Sequence, residues 1–229
     1  MDENTNYALH HWMDLMAECA AILDDMVEIN GSDVMLHDDI DAGVATFHVG
    51  TFKISRHPVT VSSWNKVLGF DLPTDWQTYV NGVSFRETLD YRRRLNVTMR
   101  GPGVLRVPTE AQLELARQSG RIQFSENCDE MCMTRFCKLD RMEGHHFLDN
   151  IPKAVPTEGN PLVLVVRGCT GGRSSVIFSQ LDEHPSPRLG FRLVLVDYQT
   201  EKDPFLDCGI NGRERISPTE SIQKGKGAS

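Results

Sequence analysis

Three cysteines and a histidine pair lie close together in the middle of this 229-residue sequence. Cys128, Cys132 and Cys137 precede His145-His146, and thiolate sulfur with imidazole nitrogen is a ligand set that suits zinc or copper(I). The spacing does not favour a metal site, because common structural zinc modules use a tight C-x2-C pair. We therefore expect buried thiols here, with metal binding as the alternative.

A second set of reactive side chains follows the apolar run at 162–166. It contains one thiol, two guanidinium groups, one amide and one imidazole, from Arg167, Cys169, Arg173, Gln180 and His184. His184 lies in a polar stretch that is typical of a surface loop, and no placed partner supports a general-base role for it. The sequence contains no G-x-S-x-G elbow, phosphate-binding loop or H-E-x-x-H motif, so we predict no catalytic residues.

Composition and charge limit the classes of partner. The net charge of −8 argues against binding to nucleic acid or to an anionic membrane, and 40% hydrophobic residues are enough for a folded core. No apolar run approaches the length of a membrane span, and the acidic N-terminus lacks the basic start of a signal peptide. We expect a cytoplasmic protein, or part of an assembly made in the cytoplasm, with its six cysteines reduced.

The element that must position these groups is a helix beginning after Thr109. Thr109 can cap the first turn, and Gln112 can reach back to complete a capping box. Glu110 places negative charge at the positive end of the helix dipole, and Gly120 supplies a left-handed stop. The residues before Pro108 are therefore predicted to end a strand.

An amphipathic helix is predicted at residues 7–24. Its apolar stripe comprises Leu9, Trp12, Met13, Met16, Cys19, Ala20 and Leu23, with Asp14 and Glu18 opposite. The stripe is expected to pack on the following domain, with oligomerisation through this helix as the alternative.

Further elements follow from periodicity and turn chemistry. Asn30-Gly31 predicts a hairpin between strands at 26–29 and 34–36. Helices are predicted to begin at Thr60 and at Ser84, which forms a capping box with Glu87. Other strands are predicted at 46–49, 52–54, 162–166 and 191–196. Residues 121–161 show no simple period and are predicted to be an irregular segment near a binding face.

Six short stretches occur in the order typical of the formylglycine-generating enzyme / sulfatase-modifying-factor family. They are His57-Pro58-Val59-Thr60 with Trp64, Val83-Ser84-Phe85 through Leu95, Arg106 to Ala116, Asn127 to Met131, Val166-Arg167-Gly168, and Leu189 to Leu193. The sequence resembles this family over residues 26–197. The resemblance implies an α+β, irregular and loop-rich variant of the C-type lectin fold, here with an added helix at residues 1–25 and a polar tail at 198–229.

The resemblance also implies metal chemistry to be tested. In the family, the asparagine and glutamate of N-x-x-E help to hold a structural calcium ion, and Asn127 and Glu130 have this spacing. A Ca²⁺ site is therefore one expectation, and a solvated acidic turn is the other. Family enzymes bind copper(I) through two cysteines shortly after the R-G-G element. Here Arg167 and Gly168 are followed by Cys169 alone, so copper is not expected.

Without the cysteine pair, we expect a catalytically degenerate relative that acts as a binding or structural module, for example in a phage particle. The Thr170–Leu189 region occupies the position of variable ligand-contacting loops in related proteins. Arg167, Cys169, Arg173, Gln180 and His184 are therefore expected to bind a protein or other macromolecular ligand. The alternative is an oxidoreductase of the same type with a non-standard active site.

Overall fold

The computed structural model describes residues 3–37, 43–75, 77–99, 103–139, 152 and 154–197, with α1 side chains described from His10 onward. The helices are α1 (Glu3–Asp24), α2 (Val61–Leu68), α3 (Phe85–Thr98) and α4 (Glu110–Gln118). The first strands are β1 (Met26–Ile29), β2 (Ser32–His37), β3 (Val44–Val49), β4 (Phe52–Ser55) and β5 (Gly103–Arg106). The remaining strands are β6 (Asp129–Arg135), β7 (Leu162–Arg167), β8 (Arg173–Phe178), β9 (Leu189–Gly190) and β10 (Val194–Asp197). His145-His146 and the tail at 198–229 lie outside the described residues.

Two four-stranded sheets organise the chain. Their strand orders are β1-β4-β10-β5 and β8-β7-β6-β9, and β2 and β3 form a separate pair. The described pairs are antiparallel except for β6 with β9, which is parallel. Helices and strands therefore mix as an α+β fold with an N-terminal helix, as the sequence predicted. None of the described helices combines the length and apolarity that a membrane crossing requires.

The first four strands form a long bent hairpin. Met26 pairs with Ser55, and the same register continues through Ser32 with Val49 in the second pair. The prediction that β1 and β2 pair with each other across Asn30-Gly31 was wrong. Gly31 instead lies at the bend, where a Cβ atom would be 2.8 Å from the backbone nitrogen of Thr51. The two backbones cross there too closely for a side chain.

Residues 189–197 join the two sheets. The sequence predicted one strand at 191–196, but β9 pairs with β6 in one sheet and β10 lies between β4 and β5 in the other. Between them, Leu193 N donates to Ser55 Oγ at 3.2 Å and Ser55 N donates to Leu193 O at 2.8 Å. This crossing couples the sheets at the centre of the molecule.

The strand β6 lies inside the segment that was predicted to be irregular. Its residues from Glu130 to Thr134 are all buried, on both faces of the sheet. Burial on both faces removes the polar–apolar alternation by which an isolated strand is recognised. This strand was therefore missed.

The helix α1 packs through a different face from the predicted one. Leu15, Glu18 and Cys19 are buried, whereas Trp12 and Met16 of the predicted stripe are 42% and 46% exposed. Lys66 Nζ donates to Glu18 Oε2 at 3.0 Å, so a carboxylate that was expected to face solvent lies against α2. The predicted stripe was therefore right at Cys19 and wrong at Trp12 and Met16, since Lys66 of α2 compensates the charge of the buried Glu18.

Helix beginnings agree with the predicted capping residues. Thr60 caps α2, Ser84 and Glu87 form the capping box of α3, and Thr109 and Gln112 form that of α4. The caps fix where α2 and α3 enter the core. There the rings of Trp64, Tyr91 and Phe191 pack with centroids 5.2–5.9 Å apart.

Candidate functional site

Three loops meet on one side of the molecule. They are residues 77–83 before α3, residues 124–128 before β6, and residues 179–188 between β8 and β9. We call this surface the three-loop face. Val83 N donates to Leu189 O at 3.2 Å and Asp129 N donates to Arg188 O at 2.9 Å, so the sheet β8-β7-β6-β9 supports all three loops.

The loop at 179–188 is held by its own side chains and by α3. Glu183 Oε2 accepts from the backbone nitrogens of Ser179 at 2.5 Å and Gln180 at 3.3 Å. The backbone nitrogen of Arg86 donates to Leu181 O at 2.9 Å, and its guanidinium forms an ion pair with Asp182. This loop therefore has a defined conformation without regular secondary structure.

Hydrogen bonds also join each loop of the face to another. His184 Nδ1 donates to Gly82 O at 2.7 Å, which links the 179–188 loop to the 77–83 loop. Asn81 Nδ2 donates to Asn127 O at 3.0 Å, and Arg188 Nη2 donates to Glu126 O at 2.7 Å. The three loops are thus fixed relative to one another.

A cleft of about 330 Å³ opens beside His184. Trp64 forms part of its buried floor, while Phe70 and Leu72 line it and are 43% and 40% exposed. Asn65 pairs with Leu72 through two hydrogen bonds, Nδ2 to Leu72 O at 2.8 Å and Leu72 N to Oδ1 at 3.1 Å. We call this feature the Phe70 cleft, and its apolar wall is held in place.

The Phe70 cleft was not predicted from the sequence. The available signal was two large apolar residues, Phe70 and Leu72, between the helix-ending Gly69 and Pro73. Apolar side chains in such a turn segment have no helical or strand period that would assign them to a core. They are therefore candidates for an exposed apolar surface.

Two arginines that were predicted for the ligand-binding surface are buried instead. Arg167 Nη2 and Arg173 Nε both donate to Glu110 Oε1, at 2.6 and 2.8 Å. Arg173 Nη2 also donates to Cys137 O at 2.9 Å, and its guanidinium lies 4.6 Å from the ring centroid of Phe136. These guanidinium groups fix α4 to β7 and β8, and a surface ligand does not reach them. The prediction that they form a surface was wrong.

The other three predicted residues do not form one group. Cys169 lies half-buried in the 168–172 turn, which Arg167 Nη1 holds by donating to Gly171 O at 2.8 Å. Gln180 and His184 are exposed on the 179–188 loop, at the other end of β8. The Thr170–Leu189 region is therefore not one loop, because β8 divides it.

Glu130 forms a fully buried ion pair with Arg192. Arg192 Nε donates to Glu130 Oε2 and Nη2 donates to Oε1, each at 2.5 Å. Arg192 Nη1 also donates to Ser55 O and Arg56 O at 3.1 Å, so the pair ties β6 to the end of β4. Asn127 is exposed in the preceding turn. A calcium ion at this position has to compete with Arg192 for the carboxylate, and calcium binding stays a prediction.

The thiols near this ion pair are not activated. Burial, reinforced by the Glu130 carboxylate, raises the pKa of Cys128 to about 12. Burial also raises the pKa of Cys132 well above its ordinary value. A nucleophilic or metal-binding cysteine needs the opposite shift, because the thiolate is the reactive form. Among the described residues, no group of three or more His, Cys, Asp or Glu side chains is placed to hold a metal ion.

Comparison with known proteins identifies the fold. No family model matches the sequence, and the search of curated proteins returns no match. A solved structure titled Treponema denticola variable protein 1 matches 74% of this chain and 94% of its own, with 14% identity and a TM-score of 0.55. A structure of CarF matches 74% of this chain and 97% of its own at 13% identity, but its TM-score of 0.41 is too low to support an argument. The fold is C-type lectin-like, as predicted, and this likeness says nothing about activity.

Proposed function

We propose that this chain is a catalytically degenerate, formylglycine-generating-enzyme-like binding module, and that it binds a protein ligand through the three-loop face and the Phe70 cleft. The observation that carries the proposal is the set of hydrogen bonds joining the 77–83, 124–128 and 179–188 loops. A surface that is ordered before binding loses less conformational entropy when the ligand arrives.

The composition of the surface supports a protein ligand. The face is polar, with Gln180, His184 and Arg188 exposed, whereas the adjoining cleft of about 330 Å³ has an apolar wall and is large enough for a side chain. An aromatic or aliphatic anchor in a pocket, surrounded by polar contacts, is the usual arrangement of an energetically important protein contact. The cleft is thus expected to receive one large apolar side chain of the partner.

An oxidoreductase with a non-standard active site has less support. Such an enzyme needs a pocket where reactive groups meet, but Arg173 and His184 lie at opposite ends of β8 and contact different elements. Cys128 and Cys132 are buried thiols with raised pKa values. Nothing in this arrangement activates a nucleophile, and an enzyme needs converging groups.

The binding proposal is tested by selecting peptides from a random display library on the immobilised protein. Selected peptides are expected to carry a large apolar residue and to lose about tenfold or more in affinity for Phe70→Ala, because a buried anchor contributes disproportionately. Gln180→Ala should weaken the same peptides. Val97→Ala is the matched control, because Val97 is 76% exposed on α3 and lines neither feature. Peptides that bind Phe70→Ala and Gln180→Ala as tightly as the unmodified protein would overturn the proposal.

A further inference from the structure

A separate cavity of about 370 Å³ lies beneath the C-terminal half of α1. From α1 it is lined by Glu18, Ala21, Ile22 and the following Asp25. The other elements that line it contribute His57, Val59, Tyr79 and Leu193, among others. Its size is within the range of small-molecule sites, and it shares no lining residue with the Phe70 cleft.

One wall of this cavity contains two nearly parallel rings, those of His57 and Tyr79. His57 is fixed by Asp25, whose Oδ2 accepts from the His57 backbone nitrogen at 3.1 Å and whose Oδ1 lies 2.8 Å from Nδ1. Nε2 of the same imidazole lies 3.1 Å from Gln123 Oε1. The His57 ring stacks on Tyr79 with an angle of 17° between the planes and 6.5 Å between centroids. The contacts hold this wall in position without a ligand.

The α1 side of the cavity carries two carboxylates. Glu18 is only 9% exposed, and Lys66 bonds its Oε2 while no contact in the described structure engages its Oε1. Burial and then the Glu18 carboxylate raise the pKa of Cys19 to about 11. Asp25 lies about two helical turns further along the chain, with a partly exposed carboxylate. A cationic ligand is therefore favoured over an anionic one.

We propose that this cavity binds a small arylalkylamine, in which an alkyl chain joins an ammonium group to an aromatic ring. The ammonium group lies toward Glu18 and Asp25, and the aromatic ring lies against the His57–Tyr79 wall. The aliphatic side chains of Ile22, Val59 and Leu193 supply the remaining apolar surface. A carboxylate that is shielded from water forms a stronger hydrogen bond with an ammonium group. The faces of aromatic rings also attract cations.

The charge requirement is tested by calorimetric titration of the full chain with three indoles of similar shape. They are tryptamine, which is cationic, tryptophol, which is neutral, and indole-3-propionate, which is anionic. We expect tryptamine to bind at least about tenfold more tightly than tryptophol and the propionate to give no measurable binding. Equal affinity for all three indoles, or no binding of tryptamine, would overturn the proposal.

The location is tested with variants of α1. Glu18→Gln and Asp25→Asn are each expected to weaken tryptamine binding about tenfold, whereas Asp24→Asn, at an exposed neighbouring position, leaves it unchanged. Ala21→Leu fills the cavity without removing a hydrogen bond and should abolish tryptamine binding. This variant therefore tests the location of the site even if Asp25→Asn disturbs α1. Full tryptamine affinity in Ala21→Leu would place the amine elsewhere and contradict the proposal. Phe70→Ala, which lies outside this cavity, should bind tryptamine normally.

Discussion

The buried carboxylates of Glu110 and Glu130 show how burial decides what a charged side chain does in this protein. Glu130 and Arg192 have no exposed side-chain surface, and Glu110 accepts from both Arg167 and Arg173. A buried charge is stable only when it is paired and hydrogen-bonded, so each guanidinium is committed to its carboxylate. The resemblance suggested ligand binding for Arg167 and Arg173, and the structure instead gives them a supporting role.

Breaking the Glu130–Arg192 pair is expected to be costly. Glu130→Gln should lower the free energy of unfolding by about 3–5 kcal/mol, because Arg192 then stays buried without a compensating charge. The measurement is urea denaturation followed by fluorescence. Glu126→Gln, at an exposed position in the preceding turn, should change the same quantity by less than about 0.5 kcal/mol. Equal effects of the two substitutions would show that the pair is not buried as described.

Calcium binding at Asn127 and Glu130 is testable on the same protein. If the ion is bound, a chelator should lower the melting temperature and added Ca²⁺ should restore it, because the ion binds only the folded state. Asn127→Ala should then remove the response. A melting temperature that is insensitive to both treatments would mean that Arg192 satisfies the Glu130 carboxylate without a metal ion.

Among the elements, the bend in the long hairpin depends on a single close approach. At Gly31 a Cβ atom would lie 2.8–2.9 Å from the backbone of residues 49–51, whereas at Gly50 it would meet nothing within 4 Å. Gly31→Ala should therefore destabilise the protein by about 1–3 kcal/mol through overpacking, and Gly50→Ala should have little effect. Thermal denaturation of the two variants compares them directly, and equal melting temperatures would refute the crossing.

The start of α4 offers a second test at the level of elements. Thr109 Oγ1 accepts from Gln112 N at 3.3 Å, and Gln112 Oε1 accepts from Thr109 N at 3.1 Å. Thr109→Ala should reduce the free energy of unfolding by about 1 kcal/mol through loss of the cap. Thr170→Ala, in an exposed turn, is the control. An unchanged transition in Thr109→Ala would mean that this cap does not stabilise the helix.

Elements that depend on neighbouring residues were predictable, and elements that depend on distant ones were not. The three helix starts follow from capping residues within one turn of each other. The partner of β1 and the strand β6 depend on residues far along the chain, and no local signal encodes them. The candidate site divides in the same way, since His184 was predicted on a loop but its bond to Gly82 spans 102 positions.

At the scale of the whole molecule, the fold and the activity have to be argued separately. The crossing at 189–197 and the two sheets define a lectin-like scaffold that the resemblance predicted. Such a scaffold holds irregular loops on a rigid base and hosts unrelated functions. The stretches Asn127 to Met131 and Leu189 to Leu193, which resemble family motifs, are joined by the Glu130–Arg192 ion pair. In this protein they therefore stabilise the fold.

The last prediction concerns the activity that the family resemblance raises. Oxygen activation at copper(I) in the family enzymes needs two thiolates held close together, and between Arg167 and Phe191 the sequence has Cys169 alone. Cys128 and Cys132 are buried in and next to β6, where their raised pKa values oppose thiolate formation. The purified protein with copper and a reductant is therefore expected to leave the cysteine of a sulfatase-type peptide unchanged.

Mass spectrometry of the peptide measures this directly, because conversion to formylglycine replaces the thiol with an aldehyde. A formylglycine-generating enzyme that is assayed on the same peptide has to show conversion, which establishes that the conditions permit turnover. Conversion by this chain that disappears in Cys169→Ser would contradict the degenerate-enzyme proposal and make that half-buried thiol a copper ligand. Conversion that survives Cys169→Ser would also contradict the degenerate-enzyme proposal, and it would indicate that other cysteines are responsible. An unchanged peptide is the result that the degenerate-enzyme proposal predicts for this substrate.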